Sequence, residues 1–271
     1  MKSVSFQGER GAYSEVASRN FFNEKIKTVP CVTFSDALDS TVRDDTEFTV
    51  LPVENSIEGS VGESYDLLYL TPLNVIGEHY LRIEHCLIGN GKLEDVDTVY
   101  SHPQALGQCR DFLELRKIKT VPTYDTAGSV KIIKDIGTKE VACIASKMAS
   151  EIYNMPIIAE EIANNPNNYT RFLVLSKNKV KETGRDKTSI IFSIKHEPGS
   201  LYKIIKNFYD HNVNLTKIES RPNKKNTWEY NFYVDFEGHE EDSKVSTMIE
   251  HIKKETLFIK ILGSYPAAKL G

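Results

Sequence analysis

The pentapeptide IKTVP occurs twice, at residues 26–30 and 118–122, and the same order of elements surrounds both copies. Five matched residues alone mean little; the matched order means more. Around the first copy, SVSFQG (residues 3–8) reads as a strand, residues 14–22 as a helix and KTVPCV as a strand. Residues 34–43 then form a helix with Phe34, Leu38 and Val42 on one face, and FTVLPV (48–53) is a buried strand. Around the second copy come the strand DTVYSHP, the helix PQALGQCRDFLEL with Pro103 at its favoured first position, KTVPTY, a helix over 127–136, and EVACIAS. Alternating strands and helices predict a parallel sheet covered by helices. Two copies predict two similar α/β lobes.

Between them, NVIGEHYLRIEHCLIG (74–89) is one long strand-like run that carries the chain from lobe to lobe, and residues 156–177 carry it back. Two crossings predict a hinged body with a cleft. The stretch NNPNNYTRF (164–172) falls at the return crossing, although its asparagines and proline have the composition of a loop.

Residues 177–189 are charged and lack apolar periodicity, which marks a linker. A separate module follows. Ile190, Ile191, Phe192 and Ile194 form a strand, and Leu201, Ile204, Ile205 and Phe208 have the spacing of an amphipathic helix. VNLTKIESRP is a second strand. In the third, Trp228, Tyr230, Phe232, Val234 and Phe236 alternate with Glu229, Asn231, Tyr233 and Asp235. A helix with Val245, Met248, Ile249 and Ile252 precedes a last strand with Leu257, Ile259 and Ile261. The order βαββαβ predicts a ferredoxin-like sandwich with helices on one sheet face. The other face carries Ile191 and Tyr233 among polar residues, which points to self-association.

A net charge of −4 without a basic block excludes nucleic-acid and membrane-surface binding as leading functions. No apolar run approaches the roughly 20 residues that span a bilayer, and the first residues do not read as a signal peptide. Cys31, Cys86, Cys109 and Cys143 lie scattered in apolar segments without metal-ligand spacing, so buried free thiols in a reducing, cytoplasmic compartment are expected.

Polar clusters follow four of the strands: QGERGAYS, ENSIEGS (54–60), SHPQ (101–104) and SKMAS. Ligands of open parallel sheets gather beyond the carboxyl ends of strands, so these clusters predict one site lined with hydroxyls, amides and donor amines. Each cluster has a plainer role: Ser14, Ser101 or His102 as helix caps, Gly59 and Gly62 as turn residues, Glu54 as a solvated carboxylate. There is no GxGxxG, phosphate-binding loop, paired-histidine or GxSxG pattern, which argues against nucleotide, metal and serine-hydrolase chemistry.

Taken in order, GERGAYSEVA, PVENSIEGSV, SHPQALGQC, IASKMASEIY and NNYTRF resemble the signature segments of the prephenate dehydratase family. The carboxyl-terminal module resembles the ACT regulatory domain attached to these enzymes, with EPGSL (197–201) and ESRP (219–222) at its two characteristic places. Glu9 and Ala12 depart from the family's GPxGTYS, Ala163 stands where an acidic residue is common, and Ser200 replaces an alanine.

The resemblance implies an α/β fold: a bilobed catalytic domain of type II periplasmic-binding-protein architecture over residues 1–177, and a ferredoxin-like ACT domain over residues 188–271. Lobe 1 would take residues 1–75 and 165–177, and lobe 2 residues 85–160. The activity implied is a hydro-lyase reaction, prephenate to phenylpyruvate with loss of water and CO2, in phenylalanine biosynthesis. Aromatisation drives it, so no cofactor is implied. Thr170 is the functional threonine by motif match, hydrogen bonding to the departing hydroxyl. Glu54 or His102 is the stronger acid, and the sequence does not choose between them. Arg171 suits a bidentate clamp on the pyruvyl carboxylate, because a tight ion pair to the ring carboxylate would oppose its loss. Asn55, Ser56, Ser101, Gln104 and Asn168 are expected to complete substrate binding, with Phe172 as core or a wall under the ring. L-phenylalanine is the implied allosteric inhibitor, bound between paired ACT modules at Glu197, Gly199, Ser200 and Leu201 and at Glu219, Ser220, Arg221 and Pro222, in a homodimer or homotetramer. Arogenate dehydratase and a non-catalytic bilobed binding protein are the alternatives.

Overall fold

The short apolar runs and amphipathic stretches of the first 176 residues become eleven strands and seven helices, seen in a computed structural model that describes residues 1–223 and 230–269. β1 (Ser3–Gln7), α1 (Tyr13–Phe22), β2 (Lys27–Cys31), α2 (Phe34–Val42), β3 (Phe48–Asn55), β4 (Gly59–Ser60), α3 (Gly62–Leu70) and β5 (Asn74–Arg82) come first. β6 (Cys86–Gly89), β7 (Thr98–Ser101), α4 (Pro103–Gln108), α5 (Arg110–Leu115), β8 (Lys119–Pro122), α6 (Gly128–Ile136), β9 (Val141–Ala145), α7 (Lys147–Tyr153), β10 (Ile157–Ala159) and β11 (Tyr169–Ser176) follow. One sheet has the order β2-β1-β3-β11-β5, with β4 folded back on β3; the second has the order β10-β6-β9-β7-β8. The chain divides into two compact units, Met1–Val61 with Tyr80–Phe172, and Gly62–His79 with Leu173–Gly271.

Within the first unit, β1 pairs in parallel with β2 and β3, as the alternation predicts. The second sheet departs from the expectation. β7 is parallel to β8 and β9, but β6 is antiparallel to both β9 and β10. The reason lies in the crossing segment. The strand-like run 74–89 breaks into β5 and β6 around residues 83–85, because β5 belongs to one sheet and β6 to the other. Ile83 N–H donates to Asn168 O and His85 O accepts from Ile162 N–H, so the break is held by backbone bonds to the return crossing. The helix expected over 103–115 is likewise two, turned at the fully buried Cys109 (φ −111°).

The second unit carries the predicted βαββαβ module: β12 (Asp186–Ser193), α8 (Ser200–Asp210), β13 (Leu215–Pro222), β14 (Tyr230–Glu237), α9 (Ser243–Glu255) and β15 (Phe258–Pro266). Its antiparallel sheet has the order β13-β14-β12-β15. Ile190, Phe192, Ile204, Phe208, Val234, Phe236, Met248 and Ile252 form its core, as their periodicity requires. Trp228 and Glu229 lie outside the described residues. β12 starts earlier than expected, at Asp186, whose carboxylate accepts from Thr183 and Gly184 N–H; the linker is correspondingly shorter.

The second sheet face is a larger correction. Ile191 and Tyr233 are buried within the chain, along with Asn231 and Asp235. α3, from the same unit, covers that face: Tyr233 Oη donates to Tyr65 O (2.8 Å) and the two rings pack edge-on at 4.8 Å. The face that suggested self-association is filled intramolecularly. Among the described residues, no helix is long and apolar enough to cross a membrane.

Candidate active site

The loop after β1 is fixed from beneath by a carboxylate. Glu15 is fully buried and accepts from Gly11 N–H, Arg19 Nη2 and Thr28 Oγ1, each at 2.8 Å. Burial pushes its carboxyl up, but those donors and the Arg10 charge outweigh it and hold it below the ordinary range. The loop needs glycine at Gly11, which has φ +89° and leaves only 2.7 Å between a Cβ and the Ala149 backbone. Ser146, the N-cap of α7, donates its hydroxyl to Gly11 O (2.6 Å). The QGERGAYS and SKMAS clusters therefore meet.

The return crossing meets the ENSIEGS turn. Asn55 is buried; its Oδ1 accepts from the N–H groups of Ile57 (2.9 Å) and Glu58 (3.0 Å). That fixes the amide, whose Nδ2 donates to Asn168 Oδ1 (2.7 Å) and to Thr170 Oγ1 (3.0 Å). Asn168, 1% exposed, donates from Nδ2 to Gln108 Oε1 (3.0 Å). Gln108 Oε1 also lies 2.8 Å from His85 Nε2, and His85 Nδ1 lies 2.8 Å from the Tyr13 hydroxyl. One hydrogen-bonded chain thus runs from Tyr13 to Thr170, through residues up to 115 positions apart. It contains no carboxylate. Burial holds His85 below its usual imidazole range and, with nearby thiols and Glu84, holds Tyr13 well above its own.

The other predicted residues sit around this chain in different ways. Ser56 is exposed, donating to Asn167 O (3.0 Å) and accepting from Tyr169 N–H (2.9 Å). Glu54, half-buried on β3, is in register with Ser60 on β4. His102 is the N-cap of α4, its Nδ1 accepting from Gln104 N–H (3.3 Å), and Gln104 itself is exposed. Ser101 is fully buried and donates to Ile144 O (2.8 Å), tying β7 to β9. Ser14 is not a cap; the N-cap of α1 is Ala12, which makes no side-chain bond. Arg171 and Phe172 are buried in β11. Gln108, His85 and Tyr13 escaped the sequence reading. Gln108 and Tyr13 stand inside quoted motifs, SHPQALGQC and GERGAYS, and Gln108 lies one helical turn beyond Gln104. His85 had no motif, only the run that seemed continuous.

In the second unit, Glu197, Gly199, Ser200 and Leu201 line a cavity of about 290 Å³ with Tyr202, Tyr230 and Phe232. Gly199 precedes α8 with φ +85°, a left-handed conformation that glycine adopts without strain. Ser220 and Pro222 of β13 are in register with Phe232 and Tyr230, one strand away from that cavity. Arg221 instead reaches α3, with Nε 3.5 Å from Asp66.

A model of the family described as prephenate dehydratase matches residues 4–180, and these include every residue of the hydrogen-bonded chain. The chain belongs to the prephenate dehydratase family. A prephenate dehydratase of Methanocaldococcus jannaschii is 39% identical, over 98% of each chain. Arogenate dehydratase 2 of Petunia hybrida is 38% identical over 97% of this chain and 71% of its own. The crystal structure of the Arthrobacter aurescens prephenate dehydratase in complex with L-Phe superposes with a TM-score of 0.88 at 28% identity, covering 98% of this chain and 90% of that one. Prephenate dehydratase activity, a lyase reaction, is accordingly the activity of this chain.

Proposed function

We propose that the Asn55–Asn168–Thr170–Gln108 cluster is where prephenate loses its ring hydroxyl and carboxylate. The observation that carries this reading is the 3.0 Å bond from Asn55 Nδ2 to Thr170 Oγ1. An oxygen that accepts from Asn55 keeps its own O–H for another acceptor. The departing hydroxyl is that acceptor. As CO2 leaves, the electrons of the C–C bond aromatise the ring and expel the hydroxyl, which departs as water after gaining one proton. A hydrogen bond to that oxygen strengthens as charge develops on it, so it stabilises the transition state more than the ground state. The neutral character of the cluster suits a substrate with two carboxylates, since a fixed carboxylate beside them would repel it. Arg171, next to Thr170 in β11, is the cation assigned to the pyruvyl carboxylate, and Glu54 and His102 are the two candidates for the proton. Ser56 and Gln104 are the exposed hydroxyl and amide groups assigned to substrate.

In the carboxyl-terminal module, the cavity beside EPGSL is the proposed receptor for L-phenylalanine, acting as a feedback inhibitor. The L-Phe complex of the Arthrobacter aurescens enzyme supports that reading. Because ESRP is one strand removed from the cavity, a second copy of the module is proposed to complete the site. Assembly as a dimer or tetramer in the cytoplasm follows from the same proposal.

The test is an ultraviolet assay for phenylpyruvate from prephenate, with and without phenylalanine. Phenylpyruvate formation that phenylalanine suppresses is the expected result. Turnover of arogenate alone would favour the second reading, to which the Petunia hybrida relative belongs. No product from either substrate would leave a binding protein.

A further inference from the structure

The hydrogen-bonded chain has a direction, and the direction can be derived from its backbone end. The N–H groups of Ile57 and Glu58 are donors, so Asn55 turns its oxygen to them and its NH2 to Asn168 and Thr170. Asn168 must then present oxygen to Asn55 and NH2 to Gln108. Gln108 must present oxygen to Asn168, and the same oxygen faces His85 Nε2 at 2.8 Å. Two acceptors do not bond to each other, so His85 Nε2 carries a hydrogen. Four carboxamide and imidazole orientations, each ambiguous alone, are settled by two backbone amides.

The other ring nitrogen completes the pattern. A neutral imidazole with hydrogen on Nε2 accepts at Nδ1, and the Tyr13 hydroxyl, 2.8 Å away, is the donor within its reach. Glu84 O lies equally close to that hydroxyl, so Tyr13 has one proton and two acceptors. His85 is 2% exposed, and a charged ring there would be costly, in line with the direction of its pKa. The neighbouring ionisable groups are Tyr13, Glu84, Cys86 and Cys109; Glu84 is turned to Arg82 at 2.8 Å, and the two thiols are pushed up by burial, to about 11 and about 12. At the far end of Gln108, Nε2 is buried with no partner among the described residues. A buried amide donor left unsatisfied costs about 1–3 kcal/mol, and an oxygen of a bound molecule would recover it.

We propose that His85 is a positioning residue: its Nε2–H, held by Tyr13 at Nδ1, locks the Gln108 amide with both N–H groups turned to substrate. Asn55, fixed by the Ile57 and Glu58 amides, keeps Thr170 an acceptor from the protein and a donor to the leaving hydroxyl, and the Gln108 donors stand at the other end of the same network. This inference rests on the reading of Thr170 given above. Without the Nε2–H, Asn168 Nδ2–H alone holds the Gln108 amide in this orientation, while Asn55 and Asn168 stay fixed by the backbone amides of Ile57 and Glu58.

Two measurements test it on the full-length protein. Side-chain 15N NMR, with His85 assigned by its disappearance in His85→Gln, is expected to show the neutral Nε2–H tautomer with an accepting Nδ1. This readout does not depend on turnover, so absence of phenylpyruvate in the assay would overturn the functional reading while leaving the tautomer standing. His85→Gln places an N–H where Nε2–H was and is expected to keep kcat within about fivefold. His85→Leu fills similar space without a donor and is expected to lower kcat at least 30-fold, with KM moving less. If His85→Leu does not fold, Tyr13→Phe serves instead: it removes the donor to Nδ1 and should turn the NMR pattern into a tautomer mixture with lower kcat. An Nδ1–H tautomer in the wild type, equal kcat in His85→Gln and His85→Leu, or an unchanged pattern in Tyr13→Phe would each overturn the proposal.

Discussion

The two units each bury a polar cluster, and they do so by opposite means. In the first unit the cluster of Tyr13, His85, Gln108, Asn168, Asn55 and Thr170 is neutral and works by direction. In the second, charges predominate. Lys187 Nζ sits 2.8 Å from Glu78, whose side chain is fully buried, and Glu78 also accepts from Ala268 N–H. Lys260 donates to the carbonyls of Leu68, Tyr69 and Thr71 at the carboxyl end of α3, where a cation complements the helix dipole, even though burial holds its ammonium below its usual range. Charges fasten α3 and β5 to the module from any angle. Amides must be correctly turned, which is the property a site for a defined substrate needs.

Breaking a charge should therefore cost stability, and breaking a direction should cost turnover. The largest effect is expected from Lys187→Met, which removes the cation beside the buried Glu78 carboxylate. A loss of about 3 kcal/mol of unfolding free energy in urea is expected, most of it restored by adding Glu78→Gln. Thr170→Ala should fold normally yet lower kcat by roughly 100-fold or more, the scale of a lost transition-state donor. A purified variant with near-normal kcat would remove Thr170 from the mechanism. Glu15 gives an intermediate case, a charge in the unit that holds the neutral cluster. Its folded pKa is lowered, so its contribution is fully present above the unfolded value of about 4.3 and is lost as pH falls through the folded value. Glu15→Gln should cost about 1–3 kcal/mol at pH 7 and flatten the acid limb of the stability profile, measured by urea unfolding between pH 3 and 7. The smallest expected effect is Arg171→Lys. Loss of the planar fork should raise KM about tenfold with little change in kcat, and an unchanged KM would count against the clamp.

Much of the architecture was legible in the residues. The βαββαβ module follows from periodicity alone, because Ile190, Phe192, Ile204 and Phe208 have only one way to face a common core. Two features were not. The face with Ile191 and Tyr233 looked open because its cover, α3, lies more than a hundred residues earlier in the chain. The run 74–89 looked continuous because apolar patterning records burial and not which sheet buries it.

Local patterning by itself determined the strands, the helices, the separate carboxyl-terminal module and the motifs that name the family. Only the tertiary structure decided which residues touch: Ser101 went into the sheet, while Gln108, with His85 beside it, joined Thr170 through Asn168 and Asn55. Periodicity reports the faces of elements a few residues long. The orientation of an amide or the tautomer of a histidine is set by partners 23, 60 and 113 positions away, and those distances close only when the chain folds.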